Sequence, residues 1–152
     1  GPTLSPFNAW ILSKSLETLA VRMDRHCENA LKLATFLEQR EEVLYVRYPF
    51  LNSHPGCEVA RSQMKAGGGI VAFELKGGIE AGKKMINGVM MLSISPNLGD
   101  TRSIITHPAS STHSKLSRQQ REDVGITDGL IRISVGLEHI DDIISDIRQA
   151  IG

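Results

Sequence analysis

The residue whose type and setting most clearly suggest chemistry is Arg132, which lies inside the apolar run Leu130–Val135. That run has the β-branched composition of a strand. Because side chains alternate along a strand, Arg132 shares a face with Ser134, and the isoleucines beside it point to the other face. A guanidinium partly removed from water requires an anion, and its planar fork fits a carboxylate with two hydrogen bonds. The anion is either a carboxylate of this chain or one brought by a ligand, and the strand alone leaves both open.

The second stretch of interest is the polar turn Ser95–Asp100, which reads Ser-Pro-Asn-Leu-Gly-Asp and follows a predicted strand. Proline, asparagine and glycine are typical of turns because each favours a backbone conformation that turns require. A strand that breaks into such a turn leaves backbone N–H groups without ladder partners, and these groups are hydrogen-bond donors. The turn is therefore a second candidate for ligand binding.

Glycine, histidine and cysteine motifs elsewhere in the chain favour structural roles. Gly67–Gly69 precedes a predicted strand, whereas a phosphate-binding loop needs its glycines between a strand and the N-terminus of a helix. The triplet is therefore predicted to form a turn that requires positive φ. His54 and Cys57 are close in sequence, but zinc needs three or four such ligands and no second pair has matching spacing. We predict no metal site.

The composition excludes several classes of function. The 152 residues include 17 Lys and Arg against 17 Asp and Glu, so the chain lacks the positive charge of a general nucleic-acid or anionic-membrane binder. No apolar run approaches the roughly 20 residues that span a bilayer, and residues 1–7 lack the features of a signal peptide. Two cysteines do not form a disulfide framework, which favours a reducing compartment. These features predict one soluble, cytoplasmic domain with no nucleic-acid or membrane partner.

The pattern of apolar residues predicts the elements that must position these candidates. A long amphipathic helix is predicted over residues 6–40, with Ser5 as its N-cap, and such a helix either braces two domains or belongs to the core of one. Strands are predicted at 43–48, 70–75, 91–95, 103–106 and 130–135, and shorter helices at 57–64, 79–90, 116–123 and 138–150. In the last of these, Glu138 is expected in the first turn, where the helix dipole favours acidic side chains. We predict an α/β sandwich, with a sheet of four or five strands covered by helices.

Taken together, six motifs resemble the C-terminal part of the pyridoxal-phosphate (PLP) enzymes of Cys/Met metabolism. They are GPTLSPFNAW with SLETLAVRMDRHCENALKLATFLE, then YPFLNSHPGCEVARSQM, GGGIVAFELKGG, NLGDTRSIITHPASSTHS and GITDGLIRISVGLE, and the similarity runs in order along essentially the whole chain. The group includes cystathionine γ-synthase and γ-lyase, methionine γ-lyase and the homoserine-ester sulfhydrylases. The resemblance implies the small C-terminal domain of the aspartate-aminotransferase-like (fold type I) class. Residues 1–40 would form the interdomain helix, residues 41–152 the sheet and its helices, and the large PLP-binding domain would be absent.

The resemblance also implies which residues bind substrate. In this family the strand arginine of the last motif grips the α-carboxylate of the amino-acid substrate, and here that residue is Arg132. Asn97, with the backbone of Leu98, is implied to add contacts to the carboxylate, and Thr112 matches a position that lines the same pocket. The Schiff-base lysine and most other ligands of PLP lie in the family's large domain, and Lys83–Lys84 does not match that lysine. No catalytic or cofactor-binding residue is therefore expected in this chain, which should be inactive alone.

The turn sequence indicates which member of the group the chain resembles most. Pro96–Asn97 stands where lyases and the synthase often have Glu-Ser, and NLGDT with ITHPAS is more similar to the homoserine-ester sulfhydrylases, particularly the O-succinylhomoserine type. The expected reaction makes homocysteine from O-succinylhomoserine or O-acetylhomoserine and sulfide, in methionine biosynthesis, and the resemblance also connects the chain with the trans-sulfuration enzymes of the same group. The alternatives are a methionine or cystathionine γ-lyase, a γ-synthase, or a free-standing amino-acid-binding module that is not an enzyme. The resemblance implies a homotetramer for the full enzyme.

Overall fold

The computed structural model describes residues 3–152; Gly1 and Pro2, the first residues of the predicted interdomain segment, lie outside the described residues. The helices are α1 (Pro6–Leu16), α2 (Leu19–Glu38), α3 (Cys57–Gln63), α4 (Gly78–Gly88), α5 (Arg118–Asp123) and α6 (Ile140–Ile151), with a 3-10 turn at Pro108–Ser110. The strands are β1 (Val43–Arg47), β2 (Ile70–Leu75), β3 (Ser93–Ile94), β4 (Ile104–Thr106) and β5 (Leu130–Ser134). Every predicted strand, and every predicted helix after residue 40, is present with its ends within two residues of the predicted ones.

The five strands form one mixed sheet in the order β1-β2-β5-β4-β3. Neighbouring strands are antiparallel except β3 and β4, which are parallel. Strand β5 therefore lies at the centre, between β2 and β4, and Arg132 lies in the middle of β5. The predicted α/β sandwich with four or five strands is confirmed.

One face of the sheet packs against α2, α4 and α6 and contains the hydrophobic core. Alternate residues of the central strands point to this face and are fully buried: Val71, Phe73, Ile105, Ile131 and Ile133. Helix α6 contributes a matching stripe at i, i+4 spacing, and its members Ile143 and Ile147 are also fully buried. Each such side chain stabilises the fold by about 1.5–3 kcal/mol relative to an exposed position.

The prediction of a single helix over residues 6–40 is wrong, because the chain turns between α1 and α2. In a continuous helix the Ser15 carbonyl would accept a hydrogen bond from the N–H of Leu19. Here it accepts one from Nη2 of Arg22 at 2.7 Å, and Nε of Arg22 donates to Oγ1 of Thr18 at 3.3 Å. The arginine side chain thus satisfies the end of α1 and stabilises the break.

The two helices differ in burial. None of the residues of α1 is buried, and the apolar side chains of Phe7, Trp10 and Leu16 are 60% exposed or more. Helix α2 reaches the core only from His26 onward, through the buried residues His26, Asn29, Ala30, Leu33, Ala34 and Leu37. The expected apolar stripe therefore contributes to the core of this domain in its second half only.

The third strand is shorter than predicted because its first residues hydrogen bond to a side chain. The carboxylate of Asp146 accepts the backbone N–H groups of Met90, Met91 and Leu92 at 2.8, 2.9 and 3.1 Å, and the ladder of β3 begins at Ser93. Burial opposes the charged form of Asp146, but these donors outweigh it, so the pKa of the carboxyl lies below its usual value. Asp146 thus fastens the segment between α4 and β3 to α6.

The last helix begins later than predicted, at Ile140 with His139 as its N-cap. Glu138 therefore lies before the helix and not in its first turn, and its carboxylate bonds to Ser103 instead. Within residues 3–152, no helix combines the length and the apolar character required to cross a lipid bilayer.

Candidate functional site

The face of the sheet opposite the helices presents a row of four side chains around Arg132. The strand register pairs Arg132 with Ala72 of β2 on one side and with Thr106 of β4 on the other, and Ala72 pairs in turn with Arg47 of β1. Thr106 is buried, Arg132 is half-buried and Arg47 is exposed. Because Ala72 is small, the row leaves space beside the central guanidinium.

The guanidinium of Arg132 has one hydrogen bond to the chain, in which Nη2 donates to the Pro96 carbonyl at 2.7 Å. Its Nε is buried and has no partner among residues 3–152. Arg40 and Arg121 also have a buried Nε without a partner, but each of them forms an ion pair with an aspartate or glutamate. Within the described residues, Arg132 is the arginine that combines a buried, unpartnered Nε with the lack of a carboxylate partner.

An internal salt bridge was one of the two explanations for Arg132, and the structure does not contain it. In the part of the chain that the structure describes, no carboxylate oxygen lies within 4.0 Å of its guanidinium nitrogens. The acidic residue of the adjacent turn, Asp100, accepts the backbone N–H and Nη2 of Arg102, both at 3.0 Å. These bonds lower the pKa of Asp100 to about 2, so it is paired without Arg132.

The turn and the arginine meet because the loop 95–103 between β3 and β4 runs alongside β5. The Pro96 carbonyl accepts from Arg132, and the N–H of Gly99 donates to Oγ of Ser134 at 3.2 Å. Ser134 and Arg132 share a face of β5, so two hydrogen bonds hold the start of the loop across that strand. Sequence reasoning placed Ser134 on this face but did not assign it the role of a loop anchor.

Asn97 and Leu98 lie between these two anchors, and both are exposed. The N–H of Asn97 donates to Oγ of Ser95 at 3.2 Å, while the Leu98 N–H and the Asn97 side-chain amide have no hydrogen bond within residues 3–152. The described site therefore provides unused N–H donors from a guanidinium, an amide and a backbone group. These groups suit a carboxylate, which accepts several hydrogen bonds at once.

The structure does not bring Thr112 into hydrogen-bond contact with this site. Its hydroxyl lies 2.7 Å from Nδ1 of His113, and the residue is exposed. The neighbouring Ser111 is closer, since its Oγ lies 3.0 Å from Oγ1 of Thr106, the register partner of Arg132. A role for Thr112 in the pocket stays a prediction.

An apolar cleft of about 300 Å³ adjoins the site and shares Leu98, Gly99 and Ser134 with it. It is lined by the start of α2, the start of β2 and the end of β5, with Leu19, Met23, His26, Ile70, Leu98 and Ser134 among its residues. Leu19 and Met23 lie on the apolar stripe of the helix that the sequence predicts over residues 6–40, and the sequence alone does not indicate that they border an open cleft.

The sequence profile of the Cys/Met metabolism PLP-dependent enzymes matches residues 1–152. The chain belongs to this family. The recognition of the family from the sequence motifs is thereby confirmed, and so is the expectation of a PLP-dependent class.

Members of this family with different activities are similar to the chain to nearly the same degree. The L-methionine gamma-lyase of Fusobacterium nucleatum subsp. polymorphum is 47% identical over 151 residues, which are 99% of this chain and 38% of that protein. The O-succinylhomoserine sulfhydrylase of Pseudomonas aeruginosa has the same identity and coverage. The chain thus spans well under half the length of the curated relatives it matches. Identity alone does not separate a lyase from a sulfhydrylase.

A solved structure of a family member has the same fold. A Campylobacter jejuni protein assigned as an O-acetylhomoserine (thiol)-lyase superposes with a TM-score of 0.90 at 40% identity, over 99% of this chain and 36% of that one. That crystal structure contains N'-pyridoxyl-lysine-5'-monophosphate. The sheet and helices described above are therefore the C-terminal domain fold of the fold type I PLP enzymes.

The residues described here do not fit a PLP site of their own. A Schiff base needs a lysine in a pocket, and all seven lysines of the chain are exposed. The glycine triplet is not a phosphate cradle either, because a Cβ at Gly67 would lie 2.5 Å from the Tyr48 ring, which fills that space. Gly68 has a φ of 81°, as expected for a turn. In residues 3–152, no group of three or more metal-ligating side chains is assembled.

Proposed function

We propose that this chain is the C-terminal, substrate-carboxylate-binding part of a longer PLP-dependent homoserine-ester sulfhydrylase. The whole enzyme would convert O-succinylhomoserine or O-acetylhomoserine and sulfide into homocysteine and the free acid, succinate or acetate. The large PLP-binding domain would be supplied by the rest of that protein. The chain alone would have no activity, because its lysines and glycines do not form a cofactor site.

The observation that supports this proposal is the half-buried guanidinium of Arg132, which lacks a carboxylate partner and lies beside the Asn97–Leu98 bend. An α-amino acid always brings a carboxylate, so this arrangement suits the substrates of the family. Arg132 would hold one carboxylate oxygen through Nε, and the Leu98 N–H and the Asn97 amide would hold the other. Such a grip fixes the orientation of the Cα–H bond, which is the geometric requirement for proton removal by a group outside this chain.

The exposed helix α1 supports the presence of a larger partner domain in the same protein. A group of large exposed apolar side chains normally marks a contact surface, and none of the residues of α1, which include Phe7, Trp10 and Leu16, is buried by the rest of the described chain. The relatives are more than twice as long as this chain, so the remaining part of such a protein would be large enough to cover α1.

A methionine γ-lyase is the second candidate, because methionine γ-lyases from Fusobacterium nucleatum are as similar to the chain, at 47–48% identity, as the O-succinylhomoserine sulfhydrylase is at 47%. Both candidates would use the same carboxylate grip. They differ in the group that leaves the γ-carbon, an acyloxy group or a thiol, and that group lies away from Arg132. Assay of the full-length enzyme with O-succinylhomoserine plus sulfide, against methionine alone, distinguishes them by whether homocysteine or a 2-oxo acid with ammonia is formed.

The test of the carboxylate site is Arg132→Ala in the full-length protein. We expect kcat/KM to fall roughly 30- to 1,000-fold, mostly through a higher KM. This fall corresponds to a loss of about 2–4 kcal/mol of binding free energy. Arg132→Lys retains the charge but not the fork, so we expect an intermediate loss. The matched control is Arg47→Ala, because Arg47 occupies the same row of the same sheet face. An unchanged KM in Arg132→Ala would refute the assignment of this residue to substrate binding.

A further inference from the structure

Glu138 fastens the end of loop 95–103 to the segment that follows β5. Its Oε1 accepts the backbone N–H of Ser103 at 2.6 Å, and its Oε2 accepts the Ser103 hydroxyl at 3.0 Å. The same hydroxyl oxygen accepts the N–H of Gly136 at 2.9 Å, and the N–H of Leu137 donates to the Thr101 carbonyl at 2.8 Å. The loop is therefore attached at both ends, at its start by Arg132 and Ser134 and at its end by Glu138.

Helix α2 holds the other side of this junction. Nδ1 of His26 donates to the Val135 carbonyl at 2.6 Å. The side-chain amide of Asn29 donates to the carbonyls of Gly136 and Glu138 at 3.0 and 2.9 Å. Three hydrogen bonds thus fix the segment 135–138 to α2. The carboxylate of Glu138 in turn binds Ser103, so the end of the loop is held in place relative to α2.

The contact between segment 135–138 and the end of the loop is so close that position 136 has no room for a side chain. A Cβ at position 136 would lie 2.1 Å from Oε2 of Glu138 and 2.4 Å from the Ser103 nitrogen, so only glycine fits between the carboxylate and the loop. Within residues 3–152, no Lys or Arg nitrogen lies within 4.0 Å of the Glu138 carboxylate. The charge is directed at the loop's own N–H and hydroxyl, which makes these bonds stronger than neutral ones.

We propose that Glu138 is a positioning residue for substrate carboxylate recognition: it sets the height of loop 95–103 over β5, and so the place of the Leu98 N–H relative to Arg132. This inference rests on the proposed function, since it requires that the site bind a carboxylate. Without the Glu138 carboxylate, the loop would keep its bonds at Gly99 and Thr101 but would lose the two bonds that fix Ser103 at its end. The donors around the carboxylate would then be spread over several positions, and binding would weaken.

The experiment compares two substrates of the full-length enzyme, O-succinylhomoserine and the same compound with its α-carboxylate replaced by a carboxamide. Glu138→Gln preserves the shape of the side chain but replaces one acceptor oxygen with a donor. We expect its preference for the carboxylate over the carboxamide to fall by about tenfold, through KM, with kcat changed less than twofold. Ser103→Ala, which keeps the backbone N–H bond, should produce a smaller fall of the same kind.

Asp146→Asn is the matched control, because Asp146 also fastens a backbone segment through N–H groups but does so on the helix-covered side. It should lower the melting temperature and leave the carboxylate preference unchanged. If Glu138→Gln lowers the melting temperature in the same way and retains the full preference, Glu138 is only structural and the inference is overturned. If Arg132→Ala retains the preference, the proposed function itself fails; if only Arg132→Ala loses it, the proposed function stands and the positioning role does not.

Discussion

The two faces of the sheet use the same strands for different purposes. On the helix-covered face, Phe73, Ile131 and Ile133 are fully buried among side chains of α2, α4 and α6. On the other face, two of their neighbours in sequence, Arg132 and Ser134, contact loop 95–103 through hydrogen bonds. One face therefore stabilises the fold by burial, and the other holds loop 95–103 next to the guanidinium of Arg132.

This difference shows why stability and recognition are separable in this domain. Hydrophobic burial is not directional, so the stability that the helix-covered face provides depends on how completely its side chains fill the core. Removal of packed atoms from that face lowers the free energy of unfolding. Hydrogen bonds are directional, so the loop-covered face depends on the placement of a few polar atoms. Substitutions on one face should therefore alter mainly the free energy of unfolding, and substitutions on the other mainly KM.

The largest expected effect on stability is that of Phe73→Ala on the helix-covered face. Phe73 lies in β2, next to the central strand, and is fully buried, so its truncation leaves a cavity. We expect the free energy of unfolding to fall by about 3–5 kcal/mol, measured by urea denaturation. Arg132→Ala, one strand away on the opposite face, should change it by less than about 1 kcal/mol. Equal losses in the two variants would contradict the division between the faces.

An intermediate effect is expected for Asp146→Asn, which removes the charge that holds residues 90–92. The loss should be about 1–3 kcal/mol at neutral pH. The folded-state pKa of Asp146 lies below its unfolded value of about 3.9, so its contribution is complete above that value and is lost as the pH falls through the folded pKa. The wild-type chain should therefore lose more stability than the variant as the pH falls below about 4. Parallel stability curves for the two proteins across that range would exclude this role.

The smallest effect is expected for Arg47→Ala. Arg47 and Arg132 lie in the same row on the face of the sheet opposite the helices, so the two variants can be compared directly. The Arg47 guanidinium lies 4.9 Å from the centre of the Tyr45 ring, and the residue is exposed. We expect a loss of about 0.5–1 kcal/mol in stability and no change in KM. A rise in KM comparable with that of Arg132→Ala would extend the substrate site along the row to β1.

The strands could be predicted from sequence because their patterning and their packing agree. Val71 and Phe73 alternate with residues of the other face, and a turn follows each strand, so local preference and burial point to the same structure. The break after Leu16 could not be predicted, because it depends on where the Arg22 side chain bonds. The late start of β3 has a similar cause, since Asp146 is more than 50 residues away in sequence.

The site was predictable in part, and for different reasons at different residues. The alternation of β5 identified Arg132 as a charged side chain within a strand, while Asn97 and Leu98 were assigned through the family resemblance. Glu138 was placed in a helix because its acidic neighbours fit a helix start. Its true partner, Ser103, lies 35 residues away, and neither propensity nor spacing indicates such a pair.

The apolar surface of α1 has a practical consequence for work with this polypeptide by itself. With Phe7, Trp10 and Leu16 all facing water, copies of the chain should adhere to one another at high concentration and bind hydrophobic dyes. Sedimentation at increasing protein concentration should show growing aggregates, and removal of residues 1–17 should abolish them while leaving the fold of the sheet intact. Purification for crystallography should begin with that shortened form.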